Sequence, residues 1–306
     1  MRCLEAGTVV SVEVAATSAN LGPGFDCFGL ALDWREQVEL TVISQGFEVQ
    51  VTGEGAHSVP QDESHLIIRS ALTGLAELGV EVPGLRVRGH NSIPHGRGLG
   101  SSSAAIVAGL AGAAQLANGQ LDQDWLLRHS SAIEGHPDNV AAAIFGGFVI
   151  AYEGGRGVAV AHGRVDPSIE VLVFVPDTPV ATDAARGLLP AMVPHHEAAG
   201  NSGRAALLVH ALADQPALLL DGTRDWLHQS HRAAAMPESY GLVQMLRDQG
   251  YAAVISGAGP TVAVLGTAAG LAELSQTVVP AFRARRVGLG GPVTAITNPA
   301  STRPVL

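Results

Sequence analysis

Apolar and polar residues alternate along VVSVEVAA, residues 9–16, which predicts a strand with one buried face. QVELTVIS and FEVQVTG repeat the same period and meet around Gln45-Gly46, so they are expected to pair as a hairpin. GLRVRGHNSI alternates again. Between these runs, residues 64–78 carry Leu66, Ile67, Ser70, Ala71, Gly74, Leu75 and Leu78 near helical spacing. Residues 101–116 and 124–133 also read as helices, the second with Asp122 or Asp124 near its start. Pro137 disfavours helical geometry at His136, so EGHPDN ends that helix. VAAAIFGGFVIAYEGG then reads as a buried helix turning at Gly146-Gly147 into a strand.

A boundary is expected near residues 163–168, dividing the chain into units 1–165 and 166–306. IEVLVFVP opens the second unit as a buried strand, and helical patterns follow at 183–189, 196–212 and 217–227. Residues 251–265 read as two apolar strands flanking SGAGPT. A helix at 268–278 and a terminal strand near 293–296 are expected to complete the second unit. Strands and helices mix in both halves, which favours an α+β fold over a doubly wound sheet.

Composition narrows the chemistry. Of 306 residues, 47% are hydrophobic and 15% charged, enough to bury a core. The net charge of -10 disfavours a broad nucleic-acid surface, while a few aimed cations still suffice for a small anion. Every basic residue is arginine; the chain has no lysine. That removes a Walker A loop, a protein-kinase fold and Schiff-base chemistry. Cys3 and Cys27 make no disulfide framework and fit a reducing cytosol. MRCLEAGTVVSVEV lacks an apolar signal-peptide core, and the Ala/Gly-rich stretch 104–117 falls short of the ~20 residues of a membrane span. A cytoplasmic location with neither membrane nor nucleic-acid partner is expected.

Four segments carry candidate chemistry. In PHGRGLGSSSAA, glycines precede a helix start, where free amides and the helix dipole attract anions. The same pattern also suits a glycine turn with a serine cap on a core helix. ATSANLGPGFDCFGLAL interleaves Ser18, Asn20 and Asp26 with small residues, as a site loop or an ordinary turn would. In IEGHPDN, Glu134 suits Mg²⁺, and His136, Asp138 and Asn139 offer hydrogen bonds to a substrate; a helix-stop loop looks the same. SGAGPT reads as a plain hairpin or as backbone closing over a ligand. His195-His196 and the pair His228 and His231 are expected on helix surfaces, because no H-E-x-x-H motif is present. A hydrolase triad is disfavoured by the lack of G-x-S-x-G.

Taken in order, SANLGPGFD, GRGLG with SSSAAIVAGL, EGHPDNV and SGAGPT resemble the GHMP small-molecule kinases. SANLGPGFDCFGLAL, EGHPDNVAAAIFGG, ATDAARGLLP, NSGRAALLVHAL and DWLHQSHRAAAMP narrow the resemblance to the members that phosphorylate homoserine. It runs from about residue 12 to residue 265. It implies an N-terminal domain with the nucleotide loop, a C-terminal ferredoxin-like domain, and transfer from Mg²⁺-ATP to the L-homoserine hydroxyl in threonine biosynthesis. A homodimer is the expected assembly.

By the same resemblance, Pro94, His95, Gly96, Arg97, Gly98, Leu99, Gly100, Ser101, Ser102 and Ser103 would bind ATP, with His65 near the adenosine. Ser102 and Glu134 would hold Mg²⁺. Asn20 and Asn139 would position the hydroxyl, with Asp26 on the ammonium and His136 lining the amino-acid site. Arg186 and Arg232 would clamp the carboxylate as planar forks, and Thr182, Gly259 and Thr261 would close the site. His65 and His95 depart from the family pattern, which usually has Asn and an aliphatic residue there. Asn139 stands where a base would face the hydroxyl, so no dedicated base is expected and the proton passes to a phosphate oxygen. A mevalonate or sugar kinase and a nucleotide-binding sensor are the competing readings.

Overall fold

In the computed structural model, which describes residues 2–155 and 157–298, the Val9–Ala19 strand keeps the expected alternation only at first. Val10, Val12 and Val14 are buried and Ser11 and Glu13 partly exposed; beyond Val14 both faces are buried. The strand therefore carries Thr17, Ser18 and Asn20 into the interior, where polar groups need partners. It pairs antiparallel with Phe28–Val42, across a bulge at Ala15/Ala16.

The first sheet runs Thr294–Asn298, Val9–Ala19, Phe28–Val42, Gly84–Asn91, Gly46–Gly53, with Phe148–Gly154 and Gly157–Gly163 attached at the other end of Phe28–Val42. Two expectations fail here. The hairpin at Gln45-Gly46 does not form, because Gly84–Asn91 inserts between the two runs. That strand pairs antiparallel with Phe28–Val42 and parallel with Gly46–Gly53, and the Ile43 amide donates to Gly84 O at 3.0 Å. The strand expected to complete the second unit instead edges the first sheet, Thr294 opposite Glu13.

One side of this sheet is covered by Leu66–Glu77, Ser101–Asn118 and Asp138–Phe145, whose apolar faces share a core with Val12, Leu30 and Leu40. Gln123–Glu134 is capped by Asp122, which accepts the Trp125 amide.

The second sheet is antiparallel in the order Ala252–Ile255, Val262–Thr267, Ile169–Pro176, Phe282–Val287. Ile169–Pro176 and Ala252–Ile255 thus run parallel with a third strand between them, the split arrangement of a ferredoxin-like unit. Pro237–Asp248 covers one face through Leu242, Val243 and Leu246. Leu208, Ala211 and Leu212 of His195–Ala213 join Val171 and Val173 to the main core.

The helix expected at 217–227 stops at Gly222. Asp225 instead accepts the amides of Leu227, His228 and Gln229 and starts the short Gln229–Arg232 helix. The helix expected at 268–278 is reduced to one 3₁₀ turn, Leu274–Gln276. Among the described residues no helix is long and apolar enough to cross a membrane.

Candidate active site

The glycine loop is built by both sheets. Leu99 and Pro94 are buried anchors, and the Thr17 amide donates to Leu99 O at 3.0 Å. Gly98 and Gly100 take φ of +73° and +68°. A Cβ on Gly98 would sit 2.2 Å from Ser256 O, and one on Gly100 would sit 2.0 Å from Thr17 Oγ1. Only glycine fits either place. Ser101–Asn118 begins directly after Gly100, and no side chain caps its first amides. Those amides are free to bind an anion.

SGAGPT lies behind this loop. Ser256 Oγ donates to Gly98 O at 2.6 Å and contacts Ser18 Oγ at 2.8 Å, and the Thr261 amide donates to Arg97 O at 3.1 Å. Gly257 and Ala258 line the cleft, whereas Gly259 and Thr261, expected to close on substrate, sit behind the loop and support it. Arg97 also departs from expectation. Its guanidinium donates to Pro176 O at 3.0 Å, to His95 O at 2.7 Å and to Asp177 O, which straps the loop to the second sheet. His95 is half-buried beside Asn91 and Gly55, with His65 buried close by. Burial lowers the pKa of both rings, and neither lines the cleft under the glycine loop.

That cleft, about 160 Å³, gathers Asn20, Gly96, Gly98, Gly100, Ser101–Ser103, Glu134, His136, Asp138, Asn139, Thr182, Arg186 and Arg232. Ser102 Oγ and Ser103 Oγ both donate to Glu134 Oε1, at 2.6 and 2.7 Å. A carboxylate and two hydroxyls are hard oxygen donors at the mouth of an anion site, a set that suits Mg²⁺. Thr17 Oγ1 donates to Asn139 Oδ1 at 2.8 Å, while Asn139 Nδ2 donates one hydrogen to Asp138 Oδ1 at 3.3 Å and has a second to offer. Asp138 Oδ1 accepts from His136 Nδ1 and from the Asn139 amide, both at 2.8 Å. The pKa of His136 is raised. Burial pulls it down, but the Asp138 bond and the charges of Asp138 and Glu134 together outweigh that.

Asn20, in left-handed geometry at φ +68°, donates through Nδ2 to Gly257 O and accepts the Asp26 amide. Asp26 and Arg186, expected at opposite ends of an amino acid, form a two-bond fork at 3.0 and 2.7 Å. That fork raises the Arg186 pKa. Arg232 is buried, and its Nε has no partner. Phe25 lies near both guanidinium groups, its ring centroid 5.7 Å from Arg186 and 5.3 Å from Arg232. Thr182 opens the Thr182–Arg186 helix at the rim.

Thr17, Phe25 and His228 were not legible as site residues. Thr17 and Phe25 fall in the candidate segment 16–32, where Thr17 directly follows the strand pattern and Phe25 reads as one more apolar position. His228, expected on a helix surface, is fully buried, with Nε2 2.8 Å from Gly22 O. A histidine beside an aspartate that caps a broken helix is the signal that would have found it.

Comparison with known proteins gives the family of this fold. The family model for the GHMP kinases N terminal domain matches residues 65–147, and that for the GHMP kinases C terminal matches residues 204–278. Homoserine kinase from Streptomyces avermitilis is 50% identical over 286 residues, covering 92% of this chain and 93% of that one. Homoserine kinase from Clavibacter michiganensis is 49% identical, covering 86% and 84%. The crystal structure of homoserine kinase from Cytophaga hutchinsonii superposes with a TM-score of 0.82 at 25% identity, covering 94% and 97%. Mevalonate diphosphate decarboxylase from Staphylococcus aureus shares the fold alone, with a TM-score of 0.70 at 16% identity over 94% and 98%. The chain belongs to the GHMP kinase family, and within it to the homoserine kinases.

Proposed function

We propose that the chain transfers the γ-phosphoryl group of ATP to the hydroxyl of L-homoserine, giving O-phospho-L-homoserine and ADP. The observation that carries this reading is the meeting, in one cleft, of an uncapped helix start and two arginines beside an acid. The first suits polyphosphate and the second suits a zwitterion.

The free amides from Gly96 to Ser103 take the phosphates without lysine. Ser102 and Glu134 would hold magnesium, which offsets phosphate charge when bound. Asn139 donates through Nδ2 to the acceptor hydroxyl, since Thr17 occupies its Oδ1. Arg232 and Arg186 take the carboxylate, and Asp26 takes the ammonium once Arg186 shares its fork. The hydroxyl oxygen then forms a bond to the γ-phosphorus as the bond to the β-bridging oxygen breaks. That oxygen leaves with the electron pair on ADP, and the hydroxyl proton moves to a phosphoryl oxygen. Asp26 is tied to Arg186 through both oxygens, and Asp138 Oδ1 to His136 and Asn139, which suits a reaction without a dedicated base. Catalysis is alignment plus electrostatic stabilisation.

The test is coupled ADP release with Mg-ATP and, in turn, homoserine, mevalonate, galactose or no acceptor. Turnover with homoserine alone supports the assignment. Turnover with mevalonate or galactose instead, or ATP binding without turnover on any acceptor, rejects it. We further propose a cytoplasmic location, which suits the two free, exposed thiols of Cys3 and Cys27. We also propose a homodimer, to be checked by light scattering.

A further inference from the structure

Arg232 is an unusual cation. It is 1% exposed, and no carboxylate among the described residues is in salt-bridge contact with it. Its Nε is buried without a partner, although the side chain lines the cleft. A buried charge of this kind is costly unless something meets it. Two acceptors hold Nη1, Gly257 O and His228 Nδ1, each at 3.3 Å.

The histidine end of this contact is set from the other side. His228 Nε2 lies 2.8 Å from Gly22 O. A carbonyl only accepts, so Nε2 carries the hydrogen, and Nδ1 of the neutral ring is left with its lone pair toward Arg232. The chain of bonds runs from Arg232 Nη1 to His228 Nδ1, then from His228 Nε2 to Gly22 O. Asp225 fixes the backbone beneath it by accepting the His228 amide. The Phe25 ring packs against both partners, its centroid 5.3 Å from that of the imidazole and 5.3 Å from the guanidinium carbon. Burial lowers the His228 pKa and Arg232 adds to this, while Asp225 and Asp26 oppose it; the neutral ring prevails.

We propose that His228 is a positioning residue for acceptor recognition: its Nδ1 holds the Arg232 guanidinium so that the unpartnered Nε edge meets the substrate carboxylate. The inference rests on the reading that Arg232 binds that carboxylate. His228 touches no substrate and acts only through Arg232.

The experiment compares Arg232→Gln, His228→Asn, His228→Gln and His228→Leu in steady state, after thermal melts have shown that each is folded. Asn places an acceptor close to the position of Nδ1 but cannot reach Gly22. Gln reaches Gly22 but supplies no acceptor at Nδ1. The expected result is a rise of about tenfold in KM for homoserine in His228→Gln and His228→Leu, the size of one charge-assisted hydrogen bond. KM for ATP and kcat should stay within about threefold, and His228→Asn should restore KM for homoserine to near wild type. Asn failing where Gln succeeds would overturn the proposal, because His228 would then act through the Gly22 loop. Unchanged KM in both His228→Gln and His228→Leu, with a raised KM in Arg232→Gln, sinks the His228 inference alone. Unchanged KM in Arg232→Gln sinks the carboxylate reading, and the inference with it.

Discussion

Thr17 decides which end of Asn139 faces the cleft. Its hydroxyl donates at 2.8 Å to Oδ1, and a flipped amide would turn that oxygen onto Asp138 Oδ1, which accepts from Nδ2 at 3.3 Å. Thr17→Val keeps the shape and removes the bond. The expected outcome is a loss of about tenfold in kcat with little change in KM for ATP, measured by steady-state kinetics. His136 has a raised pKa, so its imidazolium persists at pH values where a free histidine has lost its proton. With no base in the reaction, kcat/KM is expected to fall as pH rises through that pKa, and His136→Gln should flatten that limb. An acidic limb that vanishes in the variant would instead make His136 the proton acceptor. Glu36 is 7% exposed in the first sheet, and burial pushes its carboxyl up to about 7, against the opposing Ile93 amide. The fold therefore prefers the neutral acid. This preference contributes fully below the ordinary value of 4.5 and is lost as pH rises toward 7. Glu36→Gln is expected to match the wild type at pH 4 and to exceed it at pH 8 by up to about 3 kcal/mol, read from urea melts. The residue types of the site were readable in the chain, but their partners were not. Asp26 and Arg186 satisfy one another, and Arg97 turns from phosphate to three carbonyls, because each takes the nearest counter-group the fold offers.

At the scale of elements, periodicity found most of the strands and long helices, though not the Gly157–Gly163 strand or the Pro237–Asp248 helix, and did not reveal which strand lies beside which. QVELTVIS and FEVQVTG alternate as hairpin partners would, yet the Gly84–Asn91 strand, from beyond the next helix, takes the place between them. The Phe282–Val287 strand escaped notice because FRARRV exposes four successive side chains and shows no apolar alternation. The glycine loop was legible as a helix start. Its dependence on Ser256 and Thr17 was not, since those residues are remote in sequence. Gly100→Ala tests that dependence. It would force an L-residue into left-handed geometry and push a Cβ against Thr17 Oγ1. Calorimetric titration should show ATP binding weakened at least about tenfold, since the shift moves the amides that hold phosphate.

Across the whole molecule, one core links the two units: Val12, Leu30 and Leu110 of the first share a cluster with Val171, Leu208 and Val254 of the second. We propose the division near residue 165 with the Thr294–Asn298 strand reassigned to the first unit. Scanning calorimetry of the full chain is then expected to show a single transition. A fragment of residues 1–165 is expected to be insoluble or molten, because it lacks its outer strand and half of its core. Two independent transitions, or a well-folded fragment, would separate the units.

The returning strand has a consequence for synthesis. Glu13 leaves the ribosome roughly 280 residues before Thr294, its partner. At cellular elongation rates of about 5–20 residues per second, the Val9–Ala19 edge waits on the order of 15–60 s for its cover. An apolar strand with one edge open for so long invites pairing with another nascent chain. Expression in soluble form should therefore respond to anything that shortens that wait or occupies the open edge.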